Sequence, residues 1–172
     1  MSPRTNLHRV FPAAALTIII LAQPIRAESP KGINWPTFRG PAASGVADGF
    51  PLPTTWNVES GENIRWKTPI AGLAYSCPAV WGDHVYLTTA VPDEGDSLVK
   101  VGLYGSVEPV NEDKPFSFRV LCLDKKSGRV LWDKEAHKGV PKIKRHPKSS
   151  HANSTPATDG KHVVAFFGAE GL

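Results

Sequence analysis

The sequence predicts an all-β chain built from a repeated antiparallel strand unit, and three observations carry that expectation. Glycine (15) and proline (16) are abundant and divide the chain into short runs. No long apolar segment with helical spacing follows residues 1–27. The stretch Ser76-Cys77-Pro78-Ala79-Val80-Trp81-Gly82-Asp83-His84-Val85 also aligns without gaps on Ser154-Thr155-Pro156-Ala157-Thr158-Asp159-Gly160-Lys161-His162-Val163. Ser, Pro, Ala, Gly, His and Val coincide at an offset of 154 − 76 = 78.

At the N-terminus, Arg4 and Arg9 precede an apolar run over 10–22, and Ile25-Arg26-Ala27 follows it. A basic start, a short apolar centre and a small residue at the exit make residues 1–27 a secretory signal peptide. The run is well short of the roughly 20 residues a spanning helix needs. The expected product is exported, periplasmic or secreted, with no transmembrane anchor after cleavage. Cleavage removes Arg4, Arg9 and Arg26, so the 20 Lys and Arg fall to 17 against 16 Asp and Glu. A nearly neutral mature chain gives no bulk reason to expect a nucleic-acid or membrane-surface partner.

Residues 28–62 carry many breakers and little periodicity, and read as an extended leader anchored by Trp35, Phe38 and Trp56. The domain proper is expected over 63–172. Its strands are predicted at 64–68, 77–81, 84–89, 116–123, 129–133, 155–158 and 162–167, with 116–123 alternating like a half-buried strand. Turns fall at Gly82-Asp83, at 124–128 and at Asp159-Gly160. Long connections cover 91–115 and 134–153.

With the two long connections trimmed, the repeat period falls to about the 40–50 residues of a β-propeller blade. Propeller blades have four antiparallel strands, and a closed ring takes about 4–8 blades. The strands supply about one full blade (77–81, 84–89, 116–123, 129–133) plus parts of two others, so the propeller is expected to be incomplete. Cys77 and Cys122 would lie on the first and third strands. Two steps of about 4.8 Å separate them by nearly 10 Å, beyond an unstrained disulfide. Two free, largely buried thiols are therefore expected despite the oxidising compartment.

The stretch Cys122-Leu123-Asp124-Lys125-Lys126-Ser127-Gly128-Arg129-Val130-Leu131-Trp132 resembles the A-x-D-x-x-[ST]-G-x-x-x-W signature of the PQQ-like (pyrrolo-quinoline quinone) β-propeller repeat family, with Cys122 in place of the usual Ala. In that motif Asp124 bonds the amides of its own turn, Ser127 stands at the Ser/Thr position and Gly128 takes the left-handed conformation. Trp132 would dock on a neighbouring blade. Trp35-Pro36-Thr37-Phe38-Arg39-Gly40-Pro41 resembles the leader of exported members, and 146–156 is likewise similar to the family. The resemblance covers nearly all of the mature chain. It implies a relation to the outer-membrane protein assembly propeller and to the quinoprotein alcohol dehydrogenase-like superfamily.

Alternating strand direction puts the two short turns at one end of the sheet and both long connections at the other, where repeat proteins usually bind. The second connection holds Lys138, Lys142, Lys144, Arg145 and Lys148, with no acid between Glu135 and Asp159. His146, Lys148, Ser149, Ser150, His151 and Asn153 are the candidate ligand-binding residues, suited to a small anionic group. Lys138 and Lys142 read better as solvating charges. His146 and His151, with His137, fit metal spacing only loosely and lack a completing Cys or carboxylate, so no metal site is assigned. No catalytic residue is assigned. The dehydrogenases of the superfamily use a quinone with calcium, an Asp base and a vicinal Cys pair, and this chain has no Cys-Cys. PQQ with calcium is the one cofactor the resemblance implies; the residues themselves name none. The expected role is a non-enzymatic binding or assembly scaffold whose partners are other blades, envelope proteins or a small anion. The alternative is part of a quinone-dependent dehydrogenase whose catalytic residues lie in further blades.

Overall fold

The structure is a computed structural model that describes residues 34–49, 52–95, 99 and 108–172. The signal-peptide expectation lies outside the described residues. Six strands form among them: β1 (Ala79–Trp81), β2 (His84–Pro92), β3 (Phe116–Asp124), β4 (Val130–Gly139), β5 (Ala157–Thr158) and β6 (Val163–Val164). The first four make an antiparallel sheet in sequence order, and β5 and β6 make a separate hairpin. No described helix is long and apolar enough to cross a membrane.

The aligned stretches fold alike. Ala79 pairs with Tyr86 and Val80 with Val85, while Ala157 pairs with Val164 and Thr158 with Val163, the same register displaced by the sequence offset. Gly82 and Gly160 close the two turns with φ of 57° and 87°.

The sheet buries both faces of its two central strands. On one face Ala79, Tyr86 and Cys122 pack with Trp81, Trp132 and Val163. Further along it Ala90, Phe116 and Phe118 pack with Ala152 and Phe167. On the other face Val85, Leu121 and Leu123 pack with Trp66, Ile70 and Val80. The half-buried character expected of 116–123 is therefore replaced by burial on both sides. Polar positions survive there because they are paired: Ser117 Oγ donates to Glu135 at 2.6 Å, and Arg119 Nε donates to Asp133 at 2.9 Å. Phe118 is wholly buried, which is worth about 1.5–3 kcal/mol relative to exposure.

Several expectations need correction. β4 runs on to Gly139, which takes His137 and Lys138 out of the long connection and onto the outer strand. Its Asp133, Lys134, Glu135 and Lys138 stud an exposed strand, the composition that discourages edge-to-edge pairing. Residues 64–68 join no ladder, although their side chains alternate between outside and half-buried. They are held instead by the turn after β3: Trp66 Nε1 donates to Lys125 O at 2.9 Å and Thr68 Oγ1 to Gly128 O at 2.7 Å. Trp132 lies on Tyr86 of its own sheet, ring centres 6.1 Å apart, and the indole that reaches across to a distant turn is Trp66. Within the leader, Trp35 anchors the chain by an antiparallel bridge to Val80, whereas Phe38 and Trp56 point to solvent. Both thiols are free, but only Cys122 is buried; Cys77 lies just before β1 and is exposed.

The sheet has two unlike ends. At one, the short turns meet: Lys125 N–H donates to Asp83 O at 2.8 Å, and the Lys125 ammonium reaches Gly82 O. At the other, Pro92, Phe116 and Gly139 stand side by side, and the long connections gather there.

Candidate functional site

Residues 145–153 fold on themselves through short-range hydrogen bonds, as Ser- and Asn-rich sequences do. Ser150 Oγ donates to Asn153 Oδ1 at 2.9 Å and accepts the Ala152 N–H at 3.1 Å. Asn153 Nδ2 donates to Ser149 Oγ at 2.7 Å. His146 Nδ1 accepts the Lys148 N–H at 3.1 Å, and His146 O accepts the Ser149 N–H. The loop is then tied to the preceding segment, where Tyr75 and Ser76 both donate their amides to Ala152 O.

Beneath the loop lies a buried Arg–Glu–His triad. Glu112 accepts from Arg145 Nε at 2.8 Å through one oxygen and meets His151 Nε2 at 2.8 Å through the other. Arg145 also donates to Ser149 O at 3.1 Å. The Arg145, His151 and Glu112 side chains are 4%, 7% and 13% exposed. The His151 ring stands edge-on to Phe116, centres 5.2 Å apart, which ties the triad to the aromatic core.

A second carboxylate enters from the short 3-10 turn Gly168–Glu170. Glu170 Oε1 accepts the Lys142 N–H at 2.8 Å. Its Oε2 lies 3.6 Å from His137 Nε2 and 3.8 Å from Lys142 Nζ, yet accepts no hydrogen bond. The side chain is only 4% exposed. Lone buried acceptors of this kind are uncommon and costly.

Together these segments enclose a cavity of about 250 Å³. Five of the six candidate residues, His146, Ser149, Ser150, His151 and Asn153, line it, while Lys148 does not. Lys144 and Arg145, both in the basic run read from sequence, also line it, as do Phe167 and Glu170, which the sequence reading did not single out. The basic run is also less bare than it reads. Acids distant in sequence meet it: Glu112 at Arg145, Asp93 at Lys138 (2.9 Å) and Glu170 at Lys142. Asp93 and its hydrogen bond hold the Lys138 ammonium above the usual lysine range. Among the described residues no three His, Cys, Asp or Glu gather to hold a metal.

The four repeat-motif residues sit at the opposite end. Asp124 Oδ1 accepts from the Ser127 hydroxyl at 2.6 Å and the Ser127 amide at 2.7 Å. Those bonds hold its carboxyl below the usual range. The second copy does the same with Asp159, which accepts the His162 amide at 2.7 Å and the Lys161 amide at 2.8 Å. Its carboxyl is held well below the usual range, chiefly by His162. Both Asp side chains form turns, Asp124 half-buried and Asp159 exposed, and neither lines the cavity.

Quinone and calcium do not fit the cavity. It is smaller than the roughly 300–1,000 Å³ of sites for drug-sized ligands, its Arg145 is already engaged by Glu112, and no described carboxylate set is arranged for a cation. No family model matches the chain, and no curated protein or solved structure matches it.

Proposed function

We propose that this chain is an exported, PQQ-like β-propeller repeat protein that acts as a non-enzymatic binding or assembly scaffold through the loop end of its sheet. The observation that carries the reading is the asymmetry of the two ends. Short hydrogen-bonded turns close one end, and at the other the connections fold into a polar cavity above a buried Arg145–Glu112–His151 triad. Repetition supports the propeller. The β5–β6 hairpin repeats the register of β1–β2, its residue Val163 packs on the first sheet, and Trp66 covers the first sheet's turn as a neighbouring blade would. The partners are further blades and either an envelope protein or a small ligand.

The test is spectroscopic and functional together. The protein is titrated with PQQ in the presence of calcium, then assayed for alcohol-dependent dye reduction. No stoichiometric quinone spectrum and no turnover are expected. A bound-cofactor spectrum with alcohol-dependent reduction overturns the scaffold and makes the chain part of a dehydrogenase.

A further inference from the structure

One ring nitrogen at the loop-end cavity is left over by the contacts that hold its side chain. The His151 side chain is 7% exposed, and its Nε2 meets Glu112 at 2.8 Å. The Glu112 carboxylate, paired with Arg145, is an acceptor, so Nε2 carries the proton and the neutral ring leaves Nδ1 as a bare lone pair. Nδ1 has no hydrogen-bond partner among the described residues. Nor is it sealed away, because the one buried side-chain nitrogen or oxygen without a partner among those residues is Glu170 Oε2. The cavity that His151 lines is the space onto which Nδ1 opens.

The charges around that opening select the sign of an occupant. Glu112 is engaged by Arg145 and His151 and does not line the cavity. Glu170 lines it but is closed: one oxygen accepts the Lys142 amide, and the other is buried toward His137 and Lys142. Lys144 stands on the same wall at an exposed position. His146 beside it accepts at Nδ1, so its neutral ring offers the Nε2 proton. Phe116 and Phe118 face the His151 ring edge-on and bring no charge. A cation therefore meets Lys144 with no open counter-charge, whereas an anion meets donors.

We propose that the cavity binds a small oxyanion with His151 as its inner contact, and that binding takes up a proton from solvent onto Nδ1. The proposal rests on the loop-end binding reading given above and names its ligand class. A bare lone pair repels an oxyanion, while an imidazolium gives it a charge-assisted hydrogen bond. Charge balance runs the same way. With His151 neutral, Arg145 and Glu112 cancel; a proton on His151 leaves one buried positive charge in excess, and an anion in the adjoining cavity offsets it. Ser149, Ser150 and Asn153 satisfy one another within the loop, so the wall is preformed and little order is lost on binding. At about 250 Å³ the space suits a single small ion.

The test uses the full chain and sulfate, which stays fully ionised where histidines titrate. Sulfate is titrated calorimetrically at constant ionic strength, in buffers of unlike ionisation enthalpy, and the His151 ring is followed by NMR. Affinity is expected to rise about tenfold from about pH 8 to about pH 5.5, with roughly one proton taken up per ion. By reciprocity, sulfate should raise the pH at which the His151 ring titrates in the wild-type protein. The exposed Lys144→Ser is expected to lose about two- to fivefold in affinity with unchanged thermal unfolding, and His151→Gln to lose the proton uptake. Sulfate binding that is equal at both pH values, or that leaves the His151 titration unmoved, overturns the proposal but leaves a lysine-rimmed loop end standing. No heat with sulfate, phosphate or acetate at about 20 mM also overturns it. Binding that survives both Lys144→Ser and His151→Gln places the ion elsewhere and takes the loop-end reading down as well.

Discussion

The indole of Trp66 occupies the space that a side chain on Gly128 would need. A Cβ built on Gly128 would stand 2.5 Å from Trp66 Cε3, and the residue itself holds a φ of 73°. The same relation recurs between Trp81 and Gly160, where a Cβ would lie 2.5 Å from Trp81 Cε2 at a φ of 87°. In each pair a glycine turn lets a tryptophan lie flat against backbone, which seals a layer edge that a short strand cannot cover.

Gly128→Ala should therefore destabilise the protein twice over, through the left-handed backbone and through displacement of the indole. The expected loss is at least about 2 kcal/mol in chemical denaturation, with Trp66 becoming more solvent-exposed by fluorescence quenching. A loss within about 0.5 kcal/mol, the size of an ordinary surface substitution, contradicts the close packing.

The two thiols should react very differently. Burial raises the Cys122 thiol above its ordinary range and removes it from solvent, whereas Cys77 is exposed. Iodoacetamide on the native protein should label one site, Cys77, and denaturant should release the second, since the thiolate is the reactive form. Labelling of Cys122 at the rate of Cys77 in native buffer is incompatible with its place between Tyr86 and Trp132.

Glu112 should matter more than an exposed acid. It neutralises Arg145 and meets His151 where all three side chains are at least four-fifths buried. Removing one member of a buried charged set typically costs about 3–5 kcal/mol, because its partners stay behind uncompensated. Glu112→Ala should show a loss of that size in urea unfolding. Lys126→Ala, which breaks an exposed pair with Asp83 at 3.5 Å, should cost about 0–1 kcal/mol.

The turn after β3 should be acid-sensitive. The carboxyl of Asp124 is lowered from its ordinary value of 3.8 by the Ser127 hydroxyl and amide. A depressed carboxyl favours the folded state fully above that ordinary value and loses its contribution as pH falls through the lower, folded-state value. The stability gap between wild type and Asp124→Asn, followed by denaturation as pH is lowered, should shrink below about 4. A gap that is constant to the lowest pH tested contradicts the ionised Asx turn.

The strand pairs around Gly82 and Gly160 and the Asp124 turn were legible in the sequence because each rests on neighbours a few positions apart. A turn needs only its own Asp, Ser and Gly, and the hydrophobic runs beside it have no other way to hide. The loop 146–153 was legible for the same reason: Ser149, Ser150 and Asn153 bond one another. The extended segment 64–68 was misread as a ladder strand because strand-like alternation does not say whether a partner backbone is within reach. Burial of β3 on both faces was equally hidden, since Ser117 and Arg119 look solvent-facing until Glu135 and Asp133 arrive from β4.

What the sequence alone determined is the four-strand order of the sheet, the short turns that join its strands and the local bonding of the Ser- and Asn-rich loop. The tertiary structure decided the electrostatics of that cavity. Glu112 lies 39 positions from His151, and Glu170 lies 28 from Lys142, so no local pattern announces either. Charges that read as a bare basic stretch are neutralised or opposed only when folding brings those distant carboxylates beside them in a space with little water to screen them.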